Sequence, residues 1–325
     1  MIPKKRFYAT TIIVLLLLAL TGCGGGKETT AGNQSVEGKG VVKVGYQKSA
    51  PMLLLKKKQL LEKNLGKLGY KVKWYEFNTG IAVAEALNAG SIDIGSLGDS
   101  PSLFGKARGL DFVYIASEPS VPESEGILVK NDSSIKTIKD LKGKKVAFNK
   151  ASISQYLLLK TLKSEGMTES DINPVYLNPP EASVAFSQGQ VDAWVIWEPY
   201  FTTTANKGNR VLSDATGLVS FRSFYVAGED FVKDNPRATK QIVLELQKVG
   251  KEINKNPKEA AELVSDATKI PVETWQEILK KKPADVQFMN QKAADDLQDQ
   301  ANDLLEMKLI TKKIDVQNSY WSPKK

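Results

Sequence analysis

The sequence predicts an α/β protein that carries a helical extension at its C-terminus. Between residues 41 and 226, short apolar runs alternate with segments of helical periodicity. Strand, helix and strand in this rhythm indicate mostly parallel sheets covered on both faces by helices. From residue 236 to residue 310 the pattern is almost entirely helical. A chain of 325 residues has room for one large domain or two medium ones.

The predicted elements form two α/β cycles and a tail. In the first cycle Pro51 suits the first turn of a helix, and Thr79 caps a second helix that Gly90 closes. The predicted strands cover 41–46, 71–77, 92–95, 111–116, 127–129, 145–148, 175–177, 193–197, 210–212 and 224–226. The predicted helices cover 52–64, 81–88, 154–164, 236–254, 257–267, 271–281 and 291–309.

The N-terminus has the three parts of an export signal: a basic start, an apolar run at 12–20 and a small residue before a cysteine. The run is shorter than the ~20 apolar residues that a membrane span needs. Residues 20–23, Leu-Thr-Gly-Cys, resemble a bacterial lipobox, which implies removal of residues 1–22 and lipid attachment to Cys23. Residues 23–40 predict a flexible tether. We expect a folded body held outside the cytoplasmic membrane by acyl chains.

Composition excludes several classes of function. The net charge is +8, but the lysines are spread over amphipathic segments, so nucleic-acid binding is not expected. The chain has no histidine, and Cys23 is its one cysteine. Ser-His-Asp and Cys-His catalysis, zinc sites built on His or Cys, and disulfides are therefore excluded. We expect no metal, no cofactor and no enzymatic activity.

One internal repeat predicts two similar halves. The segment 85–94 resembles 184–193: in each, a helix ends at a glycine and an aspartate lies just inside the next strand. An acid and a proline follow each of these strands, at 99–101 and 198–200. Two similar α/β lobes would place these two loops opposite each other across a cleft.

Several motifs resemble the aliphatic sulfonate-binding proteins of bacterial ABC importers. Gly-Tyr-Gln-Lys at 45–48 and Trp-Glu-Pro-Tyr at 197–200 are the narrower ones. The Asp-Leu-Lys-Gly-Lys piece at 140–144 recurs in nitrate, taurine and thiamine-precursor binders and indicates only the superfamily. The segments that carry the resemblance are 45–48, 86–95, 98–101, 135–148, 191–200 and 223–225.

The resemblance implies a two-lobed periplasmic-binding fold of type II with two crossings between the lobes. We expect the crossings near 118–123 and 221–225. Lobe one would then hold 41–120 plus 224–325, and lobe two would hold 121–223. Such a protein traps its ligand when the lobes close and hands it to a membrane permease. The resemblance implies a monomer that serves sulfur acquisition and catalyses no reaction.

A sulfonate is a permanent anion with three acceptor oxygens, so its site needs hydrogen-bond donors. Helix N-termini supply free N–H groups and partial positive charge, and they gather at the carboxyl ends of the strands. Ala151 stands where many relatives have glycine, which would affect how closely the backbone approaches the ligand. The candidates at such helix starts are Gln47, Ser49, Gly80, Gly98, Asp99, Ser100, Ser152, Ile153 and Ser154.

Four further residues complete the predicted site. Trp197 is expected to form a wall for the carbon chain of the ligand, with core packing as the alternative. Arg222 is the cation considered as a countercharge, with a surface position equally open. Glu118 and Glu198 cannot accept a hydrogen bond from a sulfonate, so in the cleft they would orient donors, bind an amino group or repel the wrong anion.

Two other functions stay open. The first is a taurine or nitrate binder of the same superfamily, and an acid facing the cleft would favour taurine. The second is an enzyme on the same fold, either a cysteine-dependent desulfinase or a histidine-dependent thiamine-pyrimidine synthase, whose key residues this chain lacks. Without histidine, we expect sulfonate binding to be nearly independent of pH between about 5 and 8, unless burial raises the pKa of Glu198 or Asp99.

Overall fold

The computed structural model describes residues 39–323. The predicted signal peptide, most of the predicted tether and the predicted lipid site Cys23 lie outside the described residues. Within residues 39–323, no helix has the length and apolar character that crossing a membrane would require.

Six strands form the first sheet. They are β1 (Gly40–Tyr46), β2 (Tyr70–Glu76), β3 (Ile94–Gly98), β4 (Val113–Ser117), β10 (Ser223–Ala227) and β11 (Gln287–Phe288). Their order across the sheet is β11-β4-β10-β3-β1-β2.

Five strands form the second sheet. They are β5 (Glu125–Val129), β6 (Lys145–Phe148), β7 (Asn173–Tyr176), β8 (Ala193–Trp197) and β9 (Arg210–Asp214). Their order is β7-β6-β8-β5-β9, which repeats the arrangement β2-β1-β3-β10-β4 of the first sheet.

Both sheets are mixed, which corrects the prediction of mostly parallel sheets. In the first sheet β10 runs antiparallel to β3 and β4, and in the second sheet β5 runs antiparallel to β8 and β9. Each of these strands enters its sheet directly after the chain crosses from the other one, so it runs in the reverse direction. Local periodicity does not encode such a long-range insertion.

Two segments, 118–124 and 215–222, connect the sheets. They pair with each other: the Val121 N–H donates to the Phe221 carbonyl at 2.8 Å, and the Ser120 and Ser220 hydroxyls lie 2.9 Å apart. The first segment lies where a crossing was predicted. The second lies earlier than predicted, because residues 223–225 already belong to β10.

Twelve helices cover the sheets in the part of the chain that the structure describes. They are α1 (Ala50–Lys57), α2 (Leu60–Gly66), α3 (Gly80–Asn88), α4 (Asp99–Ala107), α5 (Ile153–Ser164), α6 (Pro179–Ser187), α7 (Tyr200–Ala205), α8 (Glu229–Asp234), α9 (Pro236–Lys255), α10 (Pro257–Thr268), α11 (Val272–Lys281) and α12 (Gln291–Glu306). The predicted helix 52–64 is two helices, because the backbone turns left-handed at Gln59 (φ 51°).

The internal repeat is a structural one. The Asp93 carboxylate accepts the backbone N–H of Lys43 at 2.7 Å, and the Asp192 carboxylate accepts that of Lys145 at 2.7 Å. In both halves the aspartate directly before the third strand thus binds the backbone of the first strand. The carboxyl ends of the equivalent strands consequently carry equivalent loops.

The C-terminal helices contact both halves of the molecule. Helices α9, α10 and α11 pack on one face of the first sheet through buried residues such as Leu246 and Trp275. Helix α12 lies between α4 and α5: Gln300 donates to the Ser100 hydroxyl at 2.7 Å, and Lys160 of α5 donates to Asp303 at 2.6 Å. The tail therefore stabilises the pairing of the two halves.

Candidate functional site

A cavity of about 860 Å³, open solvent included, lies between the two sheets. Its lining comes from the ends of β1, β3 and β8, from both connecting regions and from the tail. Nine of the residues predicted from the sequence line it: Gln47, Ser49, Gly80, Gly98, Glu118, Ser152, Ile153, Trp197 and Glu198.

Helix α4 begins beside the cavity, because its N-cap Gly98 and Pro101 of its first turn belong to the lining, but Asp99 and Ser100 do not, which argues against a ligand role for these two residues. The Asp99 N–H donates to the Arg222 carbonyl at 3.1 Å, and the Ser100 N–H donates to the Asp99 carboxylate at 2.6 Å. Pro101 has no N–H to offer. The donors at this helix start are therefore used inside the protein. Both side chains are buried outside the cavity lining.

Ser154 and Arg222 also lie outside the lining. The Ser154 hydroxyl is buried in the second residue of α5 and has no hydrogen-bond partner within residues 39–323. Arg222 donates to the Glu118 carbonyl at 2.8 Å and to the Asp296 carboxylate of α12 at 2.6 Å. Because Arg222 lies outside the cavity lining, it is not placed to act as a countercharge in the cavity. It ties a connecting segment to the tail.

Three other helices begin at the cavity: α1 after Ser49, α3 at Gly80 and α5 at Ile153. Thr79 and Ser152 cap α3 and α5 by accepting the N–H groups of Ala82 and Gln155. The first N–H groups of an α-helix have no intrahelical acceptor. Three sets of backbone donors and three positive helix ends therefore meet in one place, which suits an anion.

Ser49 adds a side-chain donor to this group. Its hydroxyl is buried and has no partner among the described residues, and it does not cap α1. A buried hydroxyl without a partner costs free energy that a ligand oxygen would recover. Ser49 is consequently the serine best placed to donate to an anion.

Ala151 has a backbone conformation that favours glycine. Its φ angle is 54°, a left-handed conformation that glycine adopts at lower cost. Its N–H donates to the Gln155 side chain at 2.8 Å. Ala151 thus gives its backbone donor to α5 instead of the cavity.

Glu118 lies in the cavity wall and is almost completely buried, with 2% of its side chain exposed. Its carboxylate accepts the Tyr225 hydroxyl at 2.6 Å and lies 3.4 Å from the Lys282 ammonium group. With both oxygens occupied, it orients its two partners.

Glu198 faces the cavity from the end of β8. Its carboxylate accepts the N–H and the hydroxyl of Thr202 at 3.1 and 2.5 Å. Burial raises the pKa of Glu198 to about 7, against the opposing effects of Thr202, Lys281 and Lys282. Burial also raises the pKa of Asp99, to about 6, outside the cavity. Glu198 is therefore a carboxyl group that changes charge close to neutral pH beside the site.

Lys282 is a site residue that sequence reasoning missed. It donates to the Ser223 hydroxyl at 2.8 Å and lies 5.1 Å from the centre of the Phe221 ring. In the sequence it belongs to the run 280–282, which is typical of a solvated helix face. Helix α11 ends at Lys281, and the turn that follows directs Lys282 into the cavity. No pattern in the neighbouring sequence indicates that Lys282 lies in the cavity.

Five aromatic side chains also contribute to the lining. They are Phe77, Trp197, Tyr200, Phe221 and Tyr225. Donors at one part of the wall and aromatic rings elsewhere suit a ligand with an anionic head and an apolar body.

The fold is that of the two-lobed periplasmic-binding proteins. It has two mixed sheets with equivalent strand orders, two paired connections between them and a cavity between the sheets. The family described as NMT1/THI5 like matches residues 67–260. The structure of the periplasmic aliphatic sulphonate binding protein of Escherichia coli is 38% identical, with 87% of this chain and 92% of that chain covered and a TM-score of 0.76. The chain therefore belongs to the aliphatic sulfonate-binding proteins of the NMT1/THI5-like family.

Two further relatives agree with this assignment. The alkanesulfonate-binding protein of Xanthomonas axonopodis pv. citri, solved bound to MOPS, is 32% identical, with 86% of this chain and 98% of that chain covered and a TM-score of 0.81. The taurine-binding periplasmic protein of Escherichia coli is 28% identical over 53% of this chain and 54% of its own length. These relatives are binding proteins.

Proposed function

We propose that this protein is an extracytoplasmic solute-binding lipoprotein that captures aliphatic sulfonates and delivers them to an ABC permease. The observation that carries the proposal is the meeting of three helix starts and the unpartnered Ser49 hydroxyl in one aromatic-walled cavity. An anion with several acceptor oxygens would satisfy these donors together. The cleft binds its ligand and releases it unchanged.

The sulfonate group would lie at the starts of α1, α3 and α5. Its oxygens would accept the Ser49 hydroxyl and backbone N–H groups, each a charge-assisted hydrogen bond. Lys282 would add positive charge from the tail, and its pairing with Glu118 fixes its position. The aliphatic chain would lie against Trp197 and its aromatic neighbours.

A taurine-like aminosulfonate is the second candidate. Glu198 faces the same cavity as the helix starts, and its carboxylate could accept a hydrogen bond from an ammonium group. The pKa of about 7 weighs against this candidate, because a neutral carboxyl attracts an ammonium group less strongly.

Calorimetric titration with ethanesulfonate, taurine, nitrate and sulfate tests the proposal. We expect ethanesulfonate to bind more tightly than the other three. Tighter binding of taurine would support the second candidate. Binding of sulfate or nitrate without binding of ethanesulfonate would contradict the sulfonate assignment.

The membrane anchor is a separate part of the proposal and rests on the Leu-Thr-Gly-Cys sequence at 20–23. We expect lipid on Cys23, the one thiol of the chain. Cys23→Ala should move the protein from the membrane fraction to the aqueous phase in detergent phase separation, with Ser35→Ala in the tether as a control. A Cys23→Ala variant that stays with the membrane would contradict the anchor.

A further inference from the structure

A second cavity of about 410 Å³, open solvent included, adjoins the main one. The residues that line both cavities and form their border are Lys48, Ser49, Glu118, Glu198, Pro199 and Lys282. Beyond this border the wall is apolar, and we call the space the annex. Its apolar lining consists of Ala50, Pro51, Trp275, Ile278, Leu279 and Ala284.

Three of the four charged residues at the border are held in place by hydrogen bonds to other protein groups. Glu118 accepts the Tyr225 hydroxyl, Lys282 donates to Ser223, and Glu198 accepts from Thr202. These side chains therefore form an edge between the cavities. Inside the annex, the Trp275 indole N–H donates to Thr268 at 2.8 Å, so its ring offers an apolar surface with its polar atom already bonded.

The annex is assembled from both halves of the molecule. Helix α11 supplies Trp275, Ile278 and Leu279, and Pro199 comes from the end of β8. The same helix is joined to α7 through Asn206, which donates to Glu277 at 3.0 Å. An apolar group in the annex would consequently contact the tail and the second sheet's loops at once.

We infer that the annex receives the far end of an elongated aliphatic chain, so that the site prefers long alkanesulfonates to short ones. This inference rests on the proposed function. The sulfonate stays at the helix starts, because an ionised group is costly to place against an apolar wall. Each methylene group that leaves water strengthens binding by about fourfold. Helix α11 of the tail thus sets ligand length.

A chain-length series from ethanesulfonate to decanesulfonate tests the annex by calorimetry. We expect octanesulfonate to bind the wild type at least about tenfold more tightly than ethanesulfonate. Ala284→Leu fills the annex and should remove most of this preference while leaving ethanesulfonate binding within about twofold. Ile278→Ala enlarges the annex and should shift the tightest-binding chain length upward. The exposed Ala89→Leu is the matched control and should change neither.

The two possible failures are distinguishable. If no sulfonate binds the wild type, the proposed function is wrong. If sulfonates bind but affinity does not rise with chain length, the annex is not a ligand site. The same conclusion follows if Ala284→Leu weakens ethanesulfonate and octanesulfonate equally, and the Ile278→Ala series decides the matter where Ala284→Leu fails to fold.

Discussion

The acids near the cleft act differently because their partners differ. Glu118 has a hydroxyl and an ammonium group on its two oxygens, whereas in the described part of the chain Glu198 has Thr202 as its one direct partner. Glu198 is therefore the acid whose charge state can respond to an anionic ligand. The sequence-based expectation of binding nearly independent of pH made an exception for a raised pKa of Glu198, and burial does raise this pKa.

Binding of ethanesulfonate should weaken as pH rises through about 7. Below its pKa of about 7, Glu198 is neutral; above it, the carboxylate repels the sulfonate. If the ligand raises the pKa by one further unit, the dissociation constant increases about sevenfold between pH 6 and 8.5. Glu198→Gln should flatten the profile, whereas the surface variant Glu165→Gln should keep it. If the affinity of the wild type did not change with pH, the charge of Glu198 would have no effect on ligand binding.

Glu125 is a buried acid that the proposed binding does not use. It begins β5 directly after the first connecting segment, with no exposed surface and no partner for either carboxylate oxygen in the described chain. Burial, with Asp99 nearby, raises its pKa well above 4.5. The unfolded chain ionises this group at lower pH than the folded chain does, so folding becomes less favourable as pH rises.

Glu125→Gln should therefore stabilise the protein at pH 8 and have little effect near pH 4. Relative to the variant, the wild type should lose about 1.4 kcal/mol of unfolding free energy per pH unit above the unfolded-state pKa, until Glu125 ionises in the folded state. Denaturant unfolding across this range measures the difference. The exposed neighbour variant Glu123→Gln should show no such slope. If Glu125→Gln changed the free energy of unfolding by the same amount at every pH, this explanation would be wrong.

At the scale of elements, the position of one helix start depends on a glycine. A Cβ atom at Gly80 would lie 2.6 Å from Cγ of Pro101, a ring that cannot rotate away. The glycine thus lets the start of α3 approach α4 closely. The spacing brings the donors of α3 to the same cavity as those of α1 and α5.

Gly80→Ala should weaken ethanesulfonate binding by about tenfold or more and destabilise the fold by ~1–3 kcal/mol, as overpacking does. Gly66→Ala, at the end of α2 where a Cβ would meet nothing within 4 Å, is the control. It should leave binding unchanged. Wild-type affinity in Gly80→Ala would mean that the start of α3 does not contact the ligand.

Local pattern predicted most elements but not their long-range arrangement. The tail helices follow the predicted segments closely, because amphipathic periodicity and initial prolines are local signals. Helix α4 is absent from the predicted helices, and residues 99–101 are interpreted both as a loop and as a helix start, since Asp-Ser-Pro is equally typical of a turn and of a first helical turn. The reversal of β5 and β10 and the inward position of Lys282 depend on contacts between distant segments.

At the scale of the whole molecule, the site exists only when three parts of the chain meet. The first half contributes the starts of α1 and α3, the second half contributes the start of α5 and Trp197, and the tail contributes Lys282. The sequence suggested candidates in the two halves from predicted helix starts and from the end of a predicted strand. The tail's contribution required the structure.

The central claim is that an anion is held by donors at these helix starts, and a pair of serine variants tests it most directly. Ser49 and Ser154 both have a buried hydroxyl near a helix start with no hydrogen-bond partner within residues 39–323, but of these two serines only Ser49 lines the cavity. Titration of Ser49→Ala with ethanesulfonate should show a loss of ~1.5–3 kcal/mol, or about 10- to 100-fold in affinity, as for a hydrogen bond to a charged group. Ser154→Ala should bind like the wild type. Wild-type affinity in Ser49→Ala would contradict the account.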